Sequence, residues 1–364
     1  MDKKEIKTAL KNIESAMKNI EKKNFKLLFY VDDSKGVPVG SITYTYELAY
    51  ELYNLGYNVQ MLYADNEFVG VKSWLGEKYA SLPHFNSQKD NISVSPADFL
   101  FIPDLSQSVM AKTKELPCKR IAIIYSLRYL IELIPMGTSL DSLSIRDCIT
   151  TSNKMKERLL ELFPNTKVHI VRPSIDEVFT KSDKSKLIVN IIAREESDIN
   201  NIIKPFKWRY PIYDFITFRY IKGRSREEEA KYLREGTVTV WIDEKTDFGY
   251  TALEAMASGN IIVGKVPENT PDWMVSENGE LLDNAVWFYN LRELPYLLSS
   301  VIQTILYDKV PSGLYENMQE TLTYYKKDKQ LDELKNVMNN VFETRTKEFE
   351  VMTKALKNNL EEDK

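Results

Sequence analysis

From Phe25 onward the chain repeats one unit, a short apolar run, a polar loop, an amphipathic stretch and a further apolar run, and that repeat restricts it to parallel α/β architectures. FKLLFYV (25 to 31) has the unbroken apolar character of a strand covered on both faces. DDSKGVPVGS then reads as a loop, ITYTYELAYELYNLG as a helix stopped by Gly56, and YNVQMLYA as the next strand. DFLFIP (98 to 103), RIAIIYS (120 to 126), DCITTS (147 to 152) and KVHIV (167 to 171) continue the series. After RPSIDEVF (172 to 179) and a stretch rich in lysine and serine, the alternation restarts. LIVNIIA (187 to 193), YDFITFRY (213 to 220), TVTVWI (237 to 242) and NIIVG (260 to 264) are the expected strands, with helices at about 225 to 235, 249 to 258 and 291 to 307.

Two such series in 364 residues exceed what one core usually serves, so the expectation is two Rossmann-like α/β domains. The boundaries predicted are an N-terminal amphipathic helix over 1–23, a first domain over 24–175, a second over 176–320 and a C-terminal helical segment over 321–364. Ile6, Leu10, Ile13, Met17 and Ile20 recur at steps of four and three, which gives the first helix a narrow apolar seam. Leu331, Leu334, Val337, Met338, Val341, Phe349, Met352, Leu356 and Leu360 do the same near the end. These helices pack on the body or on each other, or else mediate self-association. The lysines of the first helix also suit an anionic membrane surface.

Charge and cysteine usage narrow the setting. A net charge of -4 argues against a surface that grips nucleic acid throughout and leaves only a local basic groove. Cys118 and Cys148 lack metal-ligand spacing and read as buried free thiols. The N-terminus is charged throughout and no run is long and apolar enough to span a bilayer, so the expected location is the cytoplasm, with no transmembrane segment.

Ligands of open α/β sheets bind beyond the carboxyl ends of the strands, where helix starts offer unpaired N–H groups. Two segments qualify. Gly36 to Ser41 follows the first strand, with Gly36 and Gly40 permitting close backbone approach, although the loop matches neither GxGxxG nor a Walker sequence. Asp243 to Asn260, DEKTDFGYTALEAMASGN, follows TVTVWI with an acidic loop, a glycine at the helix start and Glu254 within the first two turns. A carboxylate there can reach a ligand at the helix start, or stand as an ordinary surface glutamate.

The run TDFGYTALEAMASGNIIVG resembles the signature of the GT-B glycosyltransferases of the family 4 type, E-G-F-G-x-x-x-x-E-A-M-A-x-G followed by a strand. Phe248, Gly249, Glu254, Ala255, Met256, Ala257 and Gly259 match at the family spacing. Gly40 with its helix, the junction TSNKMKERLLELFPNTKVHIVRPSIDEVF and the turn Glu277-Asn278-Gly279 agree in order, so the resemblance covers about 25 to 310. It implies two Rossmann-like domains facing across a cleft, with a donor site in which Glu254 holds a nucleotide ribose while Gly40, Ser41, Phe248, Gly249, Tyr250 and Thr251 meet the diphosphate and sugar.

The departures are specific. Thr246 stands where the family has its first glutamate, and Asp247 replaces the following glycine, so Asp247 or Glu244 is the candidate substitute. Arg194 falls where the family has a diphosphate-neutralising arginine, and the accompanying lysine is assigned to Lys204, with Lys207 or Arg209 as substitutes. Tyr125, Ser126 and Arg128 lie where many members carry a histidine, while His84 and His169 fall in a Pro-His loop and inside a strand.

The resemblance implies a hexosyltransferase that moves a sugar from a UDP- or GDP-linked donor to a hydroxyl acceptor with retention. Asp247, Arg194 and Lys204 are the catalytic candidates. No cofactor and no metal are expected, the nucleoside diphosphate sugar being a co-substrate. A saccharide or lipid-linked glycan is the expected acceptor. The alternatives are a DNA glucosyltransferase of phage type, with Lys112, Lys114, Lys119, Arg120 and Arg128 as a basic face, or a non-catalytic nucleotide-sugar binding protein.

Overall fold

The computed structural model describes residues 3–182, 186–194 and 196–362. Seven strands form the first sheet: β1 (Lys26–Tyr30), β2 (Asn58–Tyr63), β3 (His84–Asn86), β4 (Phe99–Pro103), β5 (Lys119–Ile124), β6 (Asp147–Thr150) and β7 (Lys167–Ile170). Five form the second: β8 (Ile188–Ala193), β9 (Thr217–Tyr220), β10 (Val238–Ile242), β11 (Ile261–Lys265) and β12 (Val286–Phe288). Their orders are β3-β2-β1-β4-β5-β6-β7 and β12-β11-β10-β8-β9, and the strand pairs are parallel. In each sheet the first strand of its half lies inside, so the order reverses beside β1 and beside β8. That reversal opens the crevice into which loops and helix starts project.

Register follows from burial on both faces. Leu28 of β1 sits between Gln60 and Leu100, and Val240 of β10 between Ile191 and Val263. Trp241, Phe29, Phe99 and Phe101 are fully buried. One apolar cluster runs from β1, β4 and β5 through Tyr125 to Phe248, Tyr250 and Trp273, so the two halves share packing where their strand ends meet.

Several elements differ from expectation for identifiable reasons. β9 starts four residues late because Pro211–Tyr213 forms a 3-10 turn, for which proline's fixed φ is suited. The three-residue edge strands β3 and β12 are too short to show a period. Helix Glu196–Arg209 was not expected, because Pro205 lies inside it and breaks the usual helical reading. The terminal helices pack on each other: Ile6, Ile13, Ala16 and Ile20 of Lys3–Glu21 are buried against helix Lys327–Glu362. The seam is thus covered within the chain. The long helix also returns to the first sheet, where Phe342 packs 5.0 Å from Phe25 and 5.1 Å from Phe99 and Glu348 pairs with Lys119 at 2.6 Å.

Among the described residues no helix is long and apolar enough to cross a membrane. Cys118 and Cys148 are buried and unbridged.

Candidate functional site

The site grows from two helix starts that converge from opposite sheets. In the second half, β10 runs through the loop 243–249 into helix Tyr250–Ala257. Gly249 at its N-cap has φ +80°, and a Cβ there would lie 3.0 Å from the Trp241 ring, so a left-handed turn and a close approach both require glycine. The Trp241 indole N–H donates to Thr251 Oγ1 at 3.1 Å, and that of Trp273 donates to the Phe248 carbonyl at 2.6 Å. In the first half, β1 leads through its loop into helix Gly40–Asn54. Ser41 donates to buried Asp104, whose other oxygen accepts the Tyr125 and Ser126 amides at 2.9 and 2.6 Å. Burial pushes the Asp104 carboxyl up to about 7.

Tyr125 closes the space between these helix starts. A Cβ on Gly40 would meet the far end of the Tyr125 ring at 2.7 Å, so the ring lies directly over that glycine. The same ring stacks on Tyr250, with centroids 5.9 Å apart and planes 17° apart, and meets Phe248 edge-on.

Glu254 is neither free nor at the surface. Arg226, the first residue of helix Arg226–Glu235, places Nη2 at 3.3 Å from Glu254 and 3.2 Å from Glu47 of the first domain, with Nη1 at 3.6 Å from Asp176. Tyr250 Oη donates to the second oxygen of Glu47. All of these side chains are largely withdrawn from water, so the carboxyls are hard to ionise. Desolvation, opposed by Arg226, lifts Glu47 to about 7 and raises Glu254. Desolvation and the Glu254 charge bring Glu229 to about 8. Asp176 is desolvated too, yet Arg226 and Lys78 hold it below the usual carboxylate range.

These shifts set a pH dependence. Glu47, Asp104 and Glu229 keep protons in the folded chain that the unfolded chain releases near 4.5 or 3.8. A raised folded pKa contributes stability that is fully present below the unfolded value and is lost as pH rises through the folded one. Asp176 acts oppositely, but only below its unfolded value. The thermal midpoint should therefore fall between about pH 5 and pH 8.5, followed by circular dichroism. A midpoint that climbs over that interval would contradict the assignment.

Asp247 faces a different space. One oxygen accepts from Ser126 Oγ at 2.7 Å, and the other from Asn269 Nδ2 at 2.8 Å with Arg158 at 3.8 Å. Thr246 is buried beside it. A cavity of about 250 Å³ lies on this side, lined by Lys154, Arg158, Asp247 and Asn269. A second, of about 430 Å³, is lined by Glu244, Lys265, Gly279 and Tyr289, and Glu268 and Thr270 border both. Open volume thus adjoins Asp247, whereas the Gly40 to Glu254 side is packed by aromatic rings and Arg226.

The remaining candidates separate. Arg194 Nε and Nη2 donate to Asp243 at 2.9 and 2.8 Å at the carboxyl ends of β8 and β10, and Glu244 pairs with Lys265. Lys204 stands exposed on helix Glu196–Arg209, eight residues and so about 12 Å along the helix from its start. Lys207 pairs with Asp214, and the Arg209 guanidinium lies 5.8 Å from the Tyr210 ring centre. His84 is held by Tyr46 and the Leu82 carbonyl, and His169 by Asp147. The basic face expected from Lys112, Lys114, Lys119, Arg120 and Arg128 does not assemble. Lys119 is buried between Asp147 and Glu348, Arg120 binds the Met110 and Leu143 carbonyls, and Arg128 pairs with Glu132.

Glu47, Arg226, Asp176, Asp104 and the ring of Tyr125 went unassigned by sequence reasoning. One signal was available: Glu47 and Glu51 are the only carboxylates in the aromatic run ITYTYELAYELYN, and a four-residue spacing puts both on one helix face.

No family model matches the chain. An alpha-1,6-glucosyltransferase of Actinobacillus pleuropneumoniae serotype 7 (strain AP76) is 25% identical over 224 residues, which cover 58% of this chain. The match spans 64% of that relative's length. Among solved structures, a sucrose-phosphate synthase from Thermosynechococcus elongatus superposes with a TM-score of 0.61 at 11% identity, covering 88% of this chain and 100% of its own. An alpha-glucosyltransferase in complex with UDP and a 13-mer DNA containing an HMU base superposes with a TM-score of 0.58 at 12% identity, covering 85% and 99%. With two parallel sheets meeting at their strand ends and superposition over nearly the whole of both solved chains, the protein has the GT-B fold of glycosyltransferases.

Proposed function

We propose that the chain is a glycosyltransferase that moves a sugar from a UDP- or GDP-linked donor to a hydroxyl of a saccharide or lipid-linked glycan, with retention. The observation that carries this reading is the convergence of two glycine-marked helix starts, Gly40–Ser41 and Gly249–Thr251, with Glu254 on the second helix. Helix starts attract a diphosphate, and a carboxylate less than two turns in matches the two hydroxyls of a ribose. The partial likeness to an alpha-1,6-glucosyltransferase supports it.

In this reading the bond between the anomeric carbon and the diphosphate oxygen breaks. Arg194 and the two helix starts stabilise the charge that develops on the leaving group. The acceptor oxygen bonds to the anomeric carbon on the same face and passes its proton to the departing phosphate oxygen, so no protein nucleophile is needed. Asp247, fixed by Ser126 and Asn269 at the border of open volume, orients the sugar.

Incubation with a panel of UDP- and GDP-sugars, with release of UDP or GDP as the readout, tests the activity. Asp247→Asn should lower kcat/KM by about 100-fold, as loss of a positioned transition-state contact does, while UDP affinity stays within about twofold. Donors that bind without ever releasing nucleotide would instead make the chain a binding protein. An Asp247→Asn variant of full activity would remove Asp247 from the reaction.

A further inference from the structure

The end of helix Glu196–Arg209 and the turn that follows it carry two sets of apolar side chains that point opposite ways. Ile202 and Phe206 are buried one helical turn apart, the Tyr213 ring stacks on Phe206 with centroids 6.0 Å apart, and Ile216 joins the same core. Lys204 and Trp208 are also one turn apart, on the opposite face, and both are exposed. With Tyr213 turned inward, Ile212 before it and Phe215 after it project outward. Trp208, Ile212 and Phe215 are 79%, 76% and 65% exposed. Helix Leu294–Leu306 packs beside Glu196–Arg209, and each follows a strand of the same parallel sheet, so both end at the same edge, where Tyr307 adds another exposed ring. Apolar residues exposed singly are ordinary, whereas several gathered on one rigid segment mark a contact surface.

The charge around this surface selects its partner. Lys204, Lys207 and Arg209 flank the three side chains, and Asp214, paired with Lys207 at 2.9 Å, is the one carboxylate between residues 204 and 217 of a chain whose net charge is -4. Two copies of the chain meeting here would bring their cations together, which disfavours self-association. An anionic bilayer meets both demands at once: tryptophan and tyrosine rings settle at headgroup level, phenylalanine and isoleucine reach just below it, and lysine and arginine stay with the lipid phosphates. We infer that this surface docks the second domain on a membrane bearing anionic lipids. Trp208, Ile212 and Phe215 enter the headgroup layer, and Lys204 and Arg209 pair with phosphate above it. The helix runs 14 residues from the strand ends to this surface, so docking leaves the crevice about 20 Å from the lipid.

Tryptophan emission tests the docking, because Trp74, Trp241 and Trp273 are buried and Trp287 is half-buried, which leaves Trp208 as the ring that exchanges water for lipid. Wild type, Trp208→Ser and the double variant Lys204→Glu with Arg209→Glu are mixed with vesicles of phosphatidylcholine containing about 30% phosphatidylglycerol, and with vesicles of phosphatidylcholine alone. Wild type should sediment with the anionic vesicles, and its emission should move to shorter wavelength and be quenched by brominated lipid. Trp208→Ser should bind about tenfold more weakly and show no shift. The charge-reversed variant, and wild type on phosphatidylcholine alone, should also lose about tenfold or more. Every altered side chain is exposed, so near-ultraviolet circular dichroism should show all three chains folded. Failure of wild type to sediment with the anionic vesicles, or equal binding by Trp208→Ser, would overturn the docking. So would sedimentation velocity showing a wild-type dimer that Trp208→Ser turns into a monomer, since the face would then be a contact between copies.

Discussion

Replacing Arg226 with methionine should cost about 3 to 5 kcal/mol of stability near pH 7.5, the range seen when one partner of a buried ion pair is removed. Arg226 lies between Glu47 and Glu254 at 3.2 and 3.3 Å and near Asp176 at 3.6 Å, and all of them are held away from solvent. Without the guanidinium Glu47 and Glu254 lose the cation between them, while Asp176 keeps Lys78 at 2.7 Å, so desolvation dominates the ionisation of the two glutamates. The same desolvation governs the pH response of the variant. With folded pKa values raised further, its carboxyls are neutral at low pH, so most of the loss should be recovered as pH is lowered toward 5. Urea denaturation at about pH 7.5 and pH 5.5 measures both parts. A loss below about 1 kcal/mol at the higher pH would show that the cluster is solvated and not a buried network.

The second large effect is expected on ligand binding. Glu254→Gln should weaken UDP binding by about 10- to 100-fold, since a hydrogen bond to a charged group contributes about 1.5 to 3 kcal/mol. Glutamine still accepts from Arg226, and Glu47 and Asp176 remain beside that guanidinium, so the fold should suffer far less than in Arg226→Met. The comparison separates roles: Arg226 acts through structure, Glu254 through the ligand. UDP affinity within about twofold of wild type would assign the ribose to another residue.

The fold was legible wherever a strand is buried on both faces. Runs such as LIVNIIA and TVTVWI need no partner to declare themselves, because continuous apolar character is what a central parallel strand requires. Legibility failed where local chemistry competes with the period. Pro205 hid helix Glu196–Arg209, and Pro211 shortened β9. At the candidate site, the left-handed Gly249 and the place of Glu254 on the following helix were legible, because both are local features. It could not locate Arg226 or Glu47, which stand 179 positions apart and meet only when the two halves close. For the same reason Tyr125 read as the place of an absent histidine, when its ring is in fact what covers Gly40.

Hydrogen exchange with and without UDP tests the location of the donor seat most directly. UDP should slow amide exchange at 249–259 and at 40–45, the two helix starts, and leave helix Lys327–Glu362 unchanged. Protection confined to other segments, or none at either helix start at a saturating concentration, would contradict it.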